Sequence, residues 1–320
     1  MPNVEISQLR VFLAAAEEKN FSAAAKRLHL SQSAVSQNIQ SLEKAYGVEL
    51  FIRRGRSVEL SEEGESIIPT AREVINAARL LEDSLQNVHN EVGGDLVIGC
   101  STSAGKYLMP SLLSTFQRKY PAVRPRVKVM GRASVSERLL NETIPIGVAS
   151  KQLDHRDLEC VRLFEDRVIL IVPPNHPWVE FGRALPSDLV DQPVITREET
   201  SGTCEVVMEG LKAFDTTMDM LNVTMELGNA EAIEMAVEHG VGIAFVSEMV
   251  AARGLALGRV KRVEIEGLDL HRTVFIARNI NRPFTRAQSL FWEFVQTQYE
   301  HLNTDIWQSL VDFATPVNMC

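Results

Sequence analysis

Apolar residues recur every three or four positions in three short segments near the start of the chain, a pattern that predicts three helices. The third segment has Ser31 at its N-cap position and Gly47 just after its end. A turn of only three residues separates the second helix from the third, which is typical of a helix-turn-helix. The inward positions are Ile6, Leu9, Leu13 and Ala16 in the first helix, Ala25 and Leu28 in the second, which begins at Ser22, and Val35, Ile39, Leu42 and Tyr46 in the third.

Alternating apolar and polar residues follow the third helix and predict a β-hairpin. The apolar positions are Val48, Leu50, Ile52, Val58 and Leu60. Arg53, Arg54 and Arg56 crowd the tip around Gly55. Like charges so close together destabilise an isolated hairpin, but they suit the phosphates or the narrow minor groove of DNA. We therefore expect a basic wing beside the helix-turn-helix.

A heptad pattern runs through residues 61–92 and predicts one long helix with a single apolar seam. Ser61 suits the N-cap, and glutamates follow in the first turn, where the positive helix end favours them. The seam positions are Ile67, Ala71, Val74, Ala78, Leu81, Leu85 and Val88. Because the seam has charged flanks, we expect it to pair with a second copy in a dimer. A single amphipathic helix packed on its own body is the alternative, and Pro69 predicts a local kink.

Beyond Gly93 and Gly94, short apolar strands alternate with helical segments as far as residue 300. This alternation predicts an α/β fold with a mainly parallel sheet. The expected strands are LVIGC, RVKVM, IGVAS, VILIV, PVIT, VTMEL, GIAFVS and VFIAR. The expected helices include one that opens at Pro110, one in SVSERLLNE, one over residues 229–239 and one from Thr285.

The charge of the chain is unevenly distributed. The 320 residues carry a net charge of −9, which argues against a uniformly basic coat for nucleic acid. Residues 1–60 nevertheless contain eight basic and six acidic side chains, so the remainder carries a net charge of −11. A small basic N-terminal domain therefore precedes an acidic body.

Amides and hydroxyls, rather than Lys and Glu, cover the outward face of the third helix. Gln makes paired hydrogen bonds to adenine, and Ser bonds to either bases or phosphates. In a helix-turn-helix this helix enters the major groove, with its N-terminal half at the base edges. A merely polar surface helix and a solvated turn are the alternative. The candidate DNA-binding residues are Gln32, Ser33, Ser36 and Gln37 on the helix and Arg53, Arg54 and Arg56 on the wing.

Two hydroxyl-rich loops follow predicted strands of the body and precede helices. Ligands of open α/β sheets bind at the carboxyl ends of strands, where helix N-termini present free N–H groups to anions. We expect a small oxyanion or carboxylate held mainly by hydrogen bonds, without a bidentate arginine, although Lys106, Arg132 and Arg197 lie nearby in sequence. Ordinary loop and capping chemistry is the alternative. The candidate effector-binding residues are Ser101, Thr102 and Ser103 in one loop and Ser201, Gly202 and Thr203 in the other.

The sequence lacks the common motifs of catalysis and cofactor binding. There is no GxSxG, HExxH or P-loop, and the seven histidines lack metal spacing. Gly240 and Gly242 lack the third glycine of a dinucleotide fingerprint. We therefore expect no cofactor, no metal and no enzymatic activity.

Cysteine usage and the absence of targeting signals bear on the compartment. The four cysteines are far apart and form no CxxC pair, which fits a reducing cytoplasm. No signal peptide or membrane-length apolar run is present, so we expect a cytoplasmic protein with no membrane partner. Cys100 and Cys204 border the two hydroxyl-rich loops, and a redox pair or an acidic thiol at Cys204 is an alternative to two small buried cysteines.

The stretch FSAAAKRLHLSQSAVSQNIQSLEKAYGVELFIRRGRSVELSEEG resembles the LysR-type transcriptional regulators, and the similarity extends to about residue 298. GNAEAIEMAVEHGVGIAFVS strengthens the match and looks closest to regulators of carbon-fixation and sulfur genes. The resemblance implies a winged helix-turn-helix at 1–60, a dimerisation helix at 61–92 and, at 93–300, a two-lobed α/β effector domain similar to periplasmic binding proteins. The implied lobes are about 95–165 plus 270–300, and 166–265, and residues 301–320 have no assigned role.

The resemblance also implies residue roles, and the chain departs from the family pattern at two points. Gln32, Ser33, Ser36, Gln37, Arg53 and Arg56 fall on positions that touch DNA in the family. Many relatives carry Arg at the position of Gln37, which bears on base preference. Pro145 in IPIGVAS replaces a usual acid, which changes the expected pocket around Ala149 and Ser150.

These features together predict a ligand-responsive transcription factor that binds near-palindromic operator DNA as a dimer or a dimer of dimers and acts with RNA polymerase. A small anionic metabolite in the cleft would shift lobe closure and so alter DNA binding. A solute-binding protein or an enzyme that uses the α/β body is the rival. The basic N-terminal domain argues against the first, and the missing catalytic constellation argues against the second.

Overall fold

The computed structural model describes residues 3–54, 57–86 and 92–297. The chain divides into two compact units, Met1–Glu91 and Val92–Cys320, each with its own hydrophobic core. The division falls after the long helix, because the first half of that helix shares the core of the residues that precede it.

The N-terminal unit combines a helix-turn-helix with a hairpin and a long helix. Its core joins these parts, and the ring of Phe51 on the hairpin makes edge contacts with Phe12 and Phe21 at centroid distances of 5.7 and 5.4 Å. The elements are α1 (Ile6–Glu18), α2 (Phe21–Leu28), α3 (Gln32–Tyr46), β1 (Phe51–Arg54), β2 (Ser57–Leu60) and α4 (Glu62–Gln86).

Side-chain caps define the ends of the two helices of the helix-turn-helix. Asn20 accepts hydrogen bonds from the first turn of α2, which therefore begins one residue before the predicted start. Ser31 Oγ accepts from the N–H of Ala34 at 3.1 Å and caps α3 as predicted. Gly47 ends α3 with φ of +66°, a left-handed conformation that glycine adopts without strain.

The C-terminal unit is an α/β structure around one large sheet in the described residues. Its main strand order is β4-β3-β5-β12-β6-β10-β8-β9, with β11 and β7 continuing from β6. The strands are β3 (Gly94–Cys100), β4 (Val123–Val129), β5 (Ile146–Ala149), β6 (Leu158–Val172), β7 (Arg183–Ala184), β8 (Pro193–Thr196), β9 (Asn222–Glu226), β10 (Ile243–Ser247), β11 (Lys261–Ile265) and β12 (Leu270–Asn279). The helices are α5 (Met109–Lys119), α6 (Arg132–Leu140), α7 (Gly202–Lys212), α8 (Ala230–Glu238), α9 (Glu248–Ala256) and α10, described over residues 286–297.

Two long strands connect the two lobes of this unit. The first half of β6 and the second half of β12 pair with each other beside β5, in the first lobe. The second half of β6 pairs with β10 and β11, in the second lobe. These pairings are antiparallel, whereas β3 with β4 and β5, and β8 with β9 and β10, are parallel. The sheet is therefore mixed: three neighbouring strands in each lobe are parallel, as predicted, whereas the pairings of β6 and β12 are antiparallel.

The helix predicted to open at Pro110 begins earlier. Helical backbone starts at Thr102 and passes through a wide turn over Ala104–Leu108 before α5. Gly105 permits this start, because a Cβ there would lie 2.8 Å from Val129 and 2.9 Å from Cys100 Sγ. The helix therefore begins directly at the carboxyl end of β3.

Candidate functional site

The outward face of α3 displays the amides and hydroxyls that the sequence singled out. Gln32, Ser33 and Gln37 are exposed, and Ser36 is half-buried. Tyr46 was predicted to be inward, but it lies in the last turn of the helix and is 45% exposed. The inward face, buried in the N-terminal core, consists of Val35, Ile39 and Leu42.

A side chain of α3 accepts hydrogen bonds from the backbone of the hairpin. Glu43 Oε1 accepts the N–H of Leu50 at 2.8 Å and that of Phe51 at 3.3 Å. Sequence reasoning missed Glu43, although an acidic residue in the last turn of a helix, where negative charge is unfavourable, is a signal that it has a partner. The carboxylate fixes the position of the wing relative to the helix beside it.

The predicted hairpin is present. Strands β1 and β2 are antiparallel, with Arg53 opposite Val58 and Arg54 opposite Ser57. Two of the predicted DNA-binding residues, Arg53 and Arg54, therefore lie on β1 next to the turn. Arg56 lies outside the described residues.

The apolar seam of α4 is divided between two environments. Ala71 is buried in the N-terminal core, and Ile67 packs against that core together with Ile75, which is not a seam position. The helix continues through Pro69. The later seam positions are Val74, Leu81 and Leu85, which are 42%, 61% and 64% exposed, Ala78, which is half-buried, and Val88, which lies outside the described residues.

A cavity of about 280 Å³ lies between the two lobes of the C-terminal unit. This volume is close to the lower end of the ~300–1,000 Å³ range of ligand pockets, so it suits a small metabolite. Helices that begin at residue 102, at Arg132 and at Gly202 start at its wall, so their positive ends converge there. Of the predicted residues, the lining includes Ser101, Thr102, Ser103, Ser201 and Gly202.

Thr203 is the predicted effector residue that does not line this cavity. Its side chain is buried in the first turn of α7, and its Oγ1 accepts a hydrogen bond from Arg272 Nη1 at 3.0 Å. Ser201 Oγ accepts the N–H of Thr203 at 3.3 Å and so caps α7, although Ser201 also lines the cavity. The alternative of ordinary capping chemistry is therefore true of part of this loop.

A third loop, which the sequence reasoning missed, completes the cavity wall. Gly131 and Arg132 line it where β4 leads into α6, and Ser134 and Ser150 add hydroxyls. The available signal was a strand, RVKVM, followed directly by Gly-Arg-Ala-Ser, which is the same strand-to-helix arrangement as in the two chosen loops.

Three arginines line the cavity, and each is bonded to a carboxylate. Arg132 begins α6 and Arg197 lies on the loop after β8, whereas Arg272 lies on the connecting strand β12 and was not considered from the sequence. The N–O distances are 2.5 Å for Arg132 with Glu205, 2.7 Å for Arg197 with Glu198 and 2.6 Å for Arg272 with Asp166. The wall of the cavity is thus richer in cations than the two predicted loops.

Carboxylates from the second lobe bond to the first lobe at two places. Glu205, in the first turn of α7, bonds to both Arg132 and Lys151. Hydrogen bonds from these two residues lower the pKa of Glu205. Because a lowered pKa favours the ionised form, the bridge is present at neutral pH.

The second inter-lobe contact lies at the start of α8. Glu231 bonds to Lys106 Nζ at 2.9 Å and to Tyr107 Oη at 3.0 Å. Burial opposes ionisation of Glu231, but hydrogen bonds from Lys106, the backbone and Tyr107 lower its pKa overall. Burial, and then the charge of Glu231, raise the pKa of Tyr107, which therefore remains a hydrogen-bond donor.

The two cysteines beside the loops do not have the environment of reactive thiols. Burial raises the pKa of Cys100 to about 12. Burial is also the largest cause that raises the pKa of Cys204, and nearby carboxylates, including Glu199, act in the same direction. Reactive cysteines have a lowered pKa, so these shifts argue against the acidic-thiol alternative for Cys204.

Metal-binding and membrane-spanning features are absent from the described residues. Among them, no group of three or more His, Cys, Asp or Glu side chains is placed to hold a metal ion. No helix in that part of the chain has both the length and the apolar character required to cross a bilayer.

Comparison with known proteins places both units in one family. Residues 6–65 match the bacterial regulatory helix-turn-helix proteins of the lysR family, and residues 89–300 match the LysR substrate binding domain. An uncharacterized HTH-type transcriptional regulator of Methanocaldococcus jannaschii is 33% identical over 91% of this chain and 98% of its own length. A probable RuBisCO transcriptional regulator of Cyanophora paradoxa is 31% identical over 92% of each chain.

Solved structures share the fold at lower identity. A full-length OxyR from Pseudomonas aeruginosa, with one cysteine replaced by aspartate, has a TM-score of 0.68 and 23% identity, covering 92% of this chain and 95% of that one. CbnR complexed with its target DNA has a TM-score of 0.64 and 24% identity, covering 92% and 99%. The regulatory domain of Synechocystis PCC6803 CcmR in complex with 2-PG has a TM-score of 0.60 and 23% identity, covering 66% and 100%. Both the matched domains and the full-length relatives lead to one conclusion: the chain belongs to the LysR family of helix-turn-helix transcriptional regulators.

Proposed function

We propose that this regulator binds operator DNA through α3 and the basic wing, and that a small anionic metabolite in the inter-lobe cavity controls this binding. The cavity carries the proposal, because it combines hydroxyls, three helix starts and three arginines in a space for a small molecule. Ligands of this size that bear a carboxylate or phosphate match such a wall.

The contacts across the cleft connect ligand binding to lobe closure. Glu205 and Glu231 bond to the first lobe at separate places, and the cavity has walls from both lobes. A ligand that binds both walls favours the closed arrangement by the difference between its affinities for the closed and open states. Closure is therefore the step by which the metabolite alters operator binding.

The exposed part of the α4 seam supports a homodimer. Val74, Leu81 and Leu85 form an apolar stripe on a helix whose other side packs on its own N-terminal unit. A second copy of the same stripe covers it with matching heptad spacing. We propose a dimer or a dimer of dimers that binds a near-palindromic operator in the cytoplasm and acts with RNA polymerase.

The class of target genes and effectors follows from the relatives. Several proteins about 30% identical to this chain are named probable RuBisCO transcriptional regulators, and the CcmR regulatory domain is described in complex with 2-PG. We propose a phosphorylated or carboxylated metabolite of carbon metabolism as the effector, with 2-PG as the first compound to test.

Titration calorimetry of the full-length protein with 2-PG, inorganic phosphate and acetate tests the effector site. Thr102→Val removes one hydroxyl from the cavity wall with little change in shape. We expect a loss of ~1–3 kcal/mol in binding free energy, because a charged ligand oxygen is left without its donor. Operator binding without effector remains unchanged.

Thr115→Val is the matched control, because Thr115 is exposed on α5 and does not line the cavity. It leaves affinity at the wild-type value. If an effector binds wild type and Thr102→Val with the same affinity, it binds elsewhere than at this wall of the cavity.

A further inference from the structure

A buried ion pair lies on the two strands that connect the lobes. Arg272 of β12 stands directly opposite Asp166 of β6 in the antiparallel register. The side chains are 5% and 0% exposed, and Arg272 Nε donates to Asp166 Oδ2 at 2.7 Å. This pair sits at the junction between the lobes, since β6 pairs with second-lobe strands from the next residues onward.

Both partners also bond to the second lobe. Arg272 Nη1 donates to Thr203 Oγ1 at 3.0 Å, at the start of α7. Ser247 Oγ, at the end of β10, donates to Asp166 Oδ1 at 2.7 Å. A change in the position of Arg272 therefore alters its contacts with β6 and with α7, while Asp166 links the same pair to the end of β10.

Arg272 has hydrogen-bonding capacity left over, and it faces the cavity. A guanidinium has five N–H groups. Nε and Nη2 contact Asp166, and Nη1 donates to Thr203, so within the described chain one N–H on each terminal nitrogen has no acceptor. Arg272 lines the cavity, whereas Asp166 does not.

A buried polar group without a partner is unfavourable unless a ligand or water supplies one. Gly202 brings the backbone of α7 close to the same guanidinium, because a Cβ there would lie 3.5 Å from Nη1. The first turn of α7, with its free N–H groups and positive helix end, thus adjoins Arg272 at the cavity wall.

We propose that the anionic group of the effector accepts hydrogen bonds from the two remaining N–H groups of Arg272, which is then shared between the effector and Asp166. This inference rests on the proposed function and names the residue that binds the charged group of the ligand. The ligand group is a carboxylate or a phosphate. Its charge competes with Asp166 for one guanidinium, so binding weakens the bond between β6 and β12 at the junction of the lobes.

Asp166→Asn in the full-length protein tests this sharing. Asparagine keeps the shape and the oxygen that Ser247 requires, but it removes the counter-charge of Arg272. The bound anion then becomes the counter-ion, so phosphate or acetate binds about tenfold more tightly than to wild type. A purely structural ion pair gives the opposite result, because its loss loosens the site and weakens binding.

The measurements are titration calorimetry and thermal unfolding in sodium phosphate and sodium acetate, against sodium chloride at equal ionic strength. We expect the melting temperature of Asp166→Asn to rise more steeply with the anion than that of wild type. A larger response to phosphate assigns a phosphate-bearing effector, and a larger response to acetate assigns a carboxylate.

The double variant Asp166→Asn/Arg272→Met keeps the proposal testable if the single variant does not fold, since it leaves no buried unpaired charge. It is expected to bind the anion at least tenfold more weakly than wild type. Wild-type anion affinity in the double variant, or no gain of affinity in a folded Asp166→Asn, overturns the sharing.

Failure of this inference differs from failure of the proposed function. If Thr102→Val weakens anion binding while Asp166→Asn does not strengthen it, the cavity is the effector site and Arg272 is structural. If the wild type binds none of the anions or 2-PG, the anionic effector itself is wrong.

Discussion

Gly202 and Ser150 face each other across the cleft with no room for an added methyl group. A Cβ at Gly202 would lie 2.3 Å from Ser150 Oγ and 3.3 Å from Ser150 Cβ. A separation this short is not tolerated, so Ser150 must rotate or the lobes must separate. The close approach explains why glycine suits the first position of α7, although its φ there is not positive.

Gly202→Ala is therefore expected to weaken effector binding without unfolding the protein. Alanine is favourable within a helix, so the cost falls on cleft closure rather than on α7. We expect a loss of about 1–3 kcal/mol in effector affinity, of the size found for overpacking. Calorimetry with 2-PG or phosphate measures it.

Ser150→Gly supplies the control, because it removes the atoms that the new methyl group meets. In the Ser150→Gly background, adding Gly202→Ala changes affinity little, and the double-mutant cycle isolates the contact. If Gly202→Ala costs the same in both backgrounds, the steric explanation is wrong.

At the scale of elements, the sequence predicted what depends on local pattern. The caps of α3, the presence of the hairpin and the loops at Ser101 and Ser201 follow from the spacing of nearby residues. Arg272 was missed because its partner on β6 is 106 positions away, and only the tertiary pairing of two antiparallel strands brings them together. The hydrogen bond that Thr203 accepts likewise comes from that distant arginine.

The same difference between local pattern and tertiary contact explains why the prediction for the seam of α4 was only partly correct. A heptad pattern shows which residues share a helix face, but it does not show what covers that face. Ala71 is covered by the chain's own N-terminal core, and Leu85 is exposed. Periodicity alone therefore predicted the seam but not its division.

Glu205 makes α7 a bridge between the lobes, and its contribution depends on pH. Its pKa lies below the ordinary value of 4.5 because Arg132 and Lys151 bond to it. The bridge of Glu205 therefore stabilises the fold above pH 4.5. This stabilisation is lost as the pH falls through the lowered pKa that Glu205 has in the folded protein. Since the side chain is 39% exposed, we expect Glu205→Gln to cost on the order of 1 kcal/mol or less at pH 7.

Thermal unfolding of wild type and Glu205→Gln across pH 3–7 measures this difference, which shrinks toward the acid end. Glu209→Gln, one turn along α7, removes a 77% exposed carboxylate that pairs only with Lys212 among the described bridges. It changes stability little at any pH. A pH-independent effect of Glu205→Gln contradicts the ionic explanation.

The exposed seam of α4 leads to a prediction about assembly. Leu81→Glu places a charge in the proposed helix pair, where burial without a partner is unfavourable. We expect the variant to sediment as a monomer while its N-terminal unit remains folded, because Leu81 is 61% exposed in the single chain. Ala77→Glu adds the same carboxylate at an exposed position outside the seam and leaves the dimer intact. Wild-type sedimentation of Leu81→Glu places the dimer contact elsewhere.

At the scale of the whole molecule, the net positive charge is confined to the start of the chain. Residues 1–60 are net basic, whereas the rest of the chain carries −11. The net negative remainder is repelled by phosphates, so we expect attraction to DNA to be confined to residues 1–60. We expect the arginines of the wing to contribute mainly through release of counterions from DNA.

This division yields a salt-dependent test of the wing. Removal of one arginine that binds a phosphate is expected to reduce the slope of log affinity against log salt by about one unit. Arg53→Ala and Arg56→Ala should therefore weaken operator binding most at ~50 mM salt and less at ~200 mM, because fewer ions are released.

Arg156→Ala is the control: it removes an arginine that is 91% exposed in the acidic unit, so it changes the net charge of the protein without changing the slope. Fluorescence anisotropy over that salt range measures all three variants. If both wing variants have the same slope as wild type, the wing does not contact phosphate. Operator binding then depends on the amide face of α3.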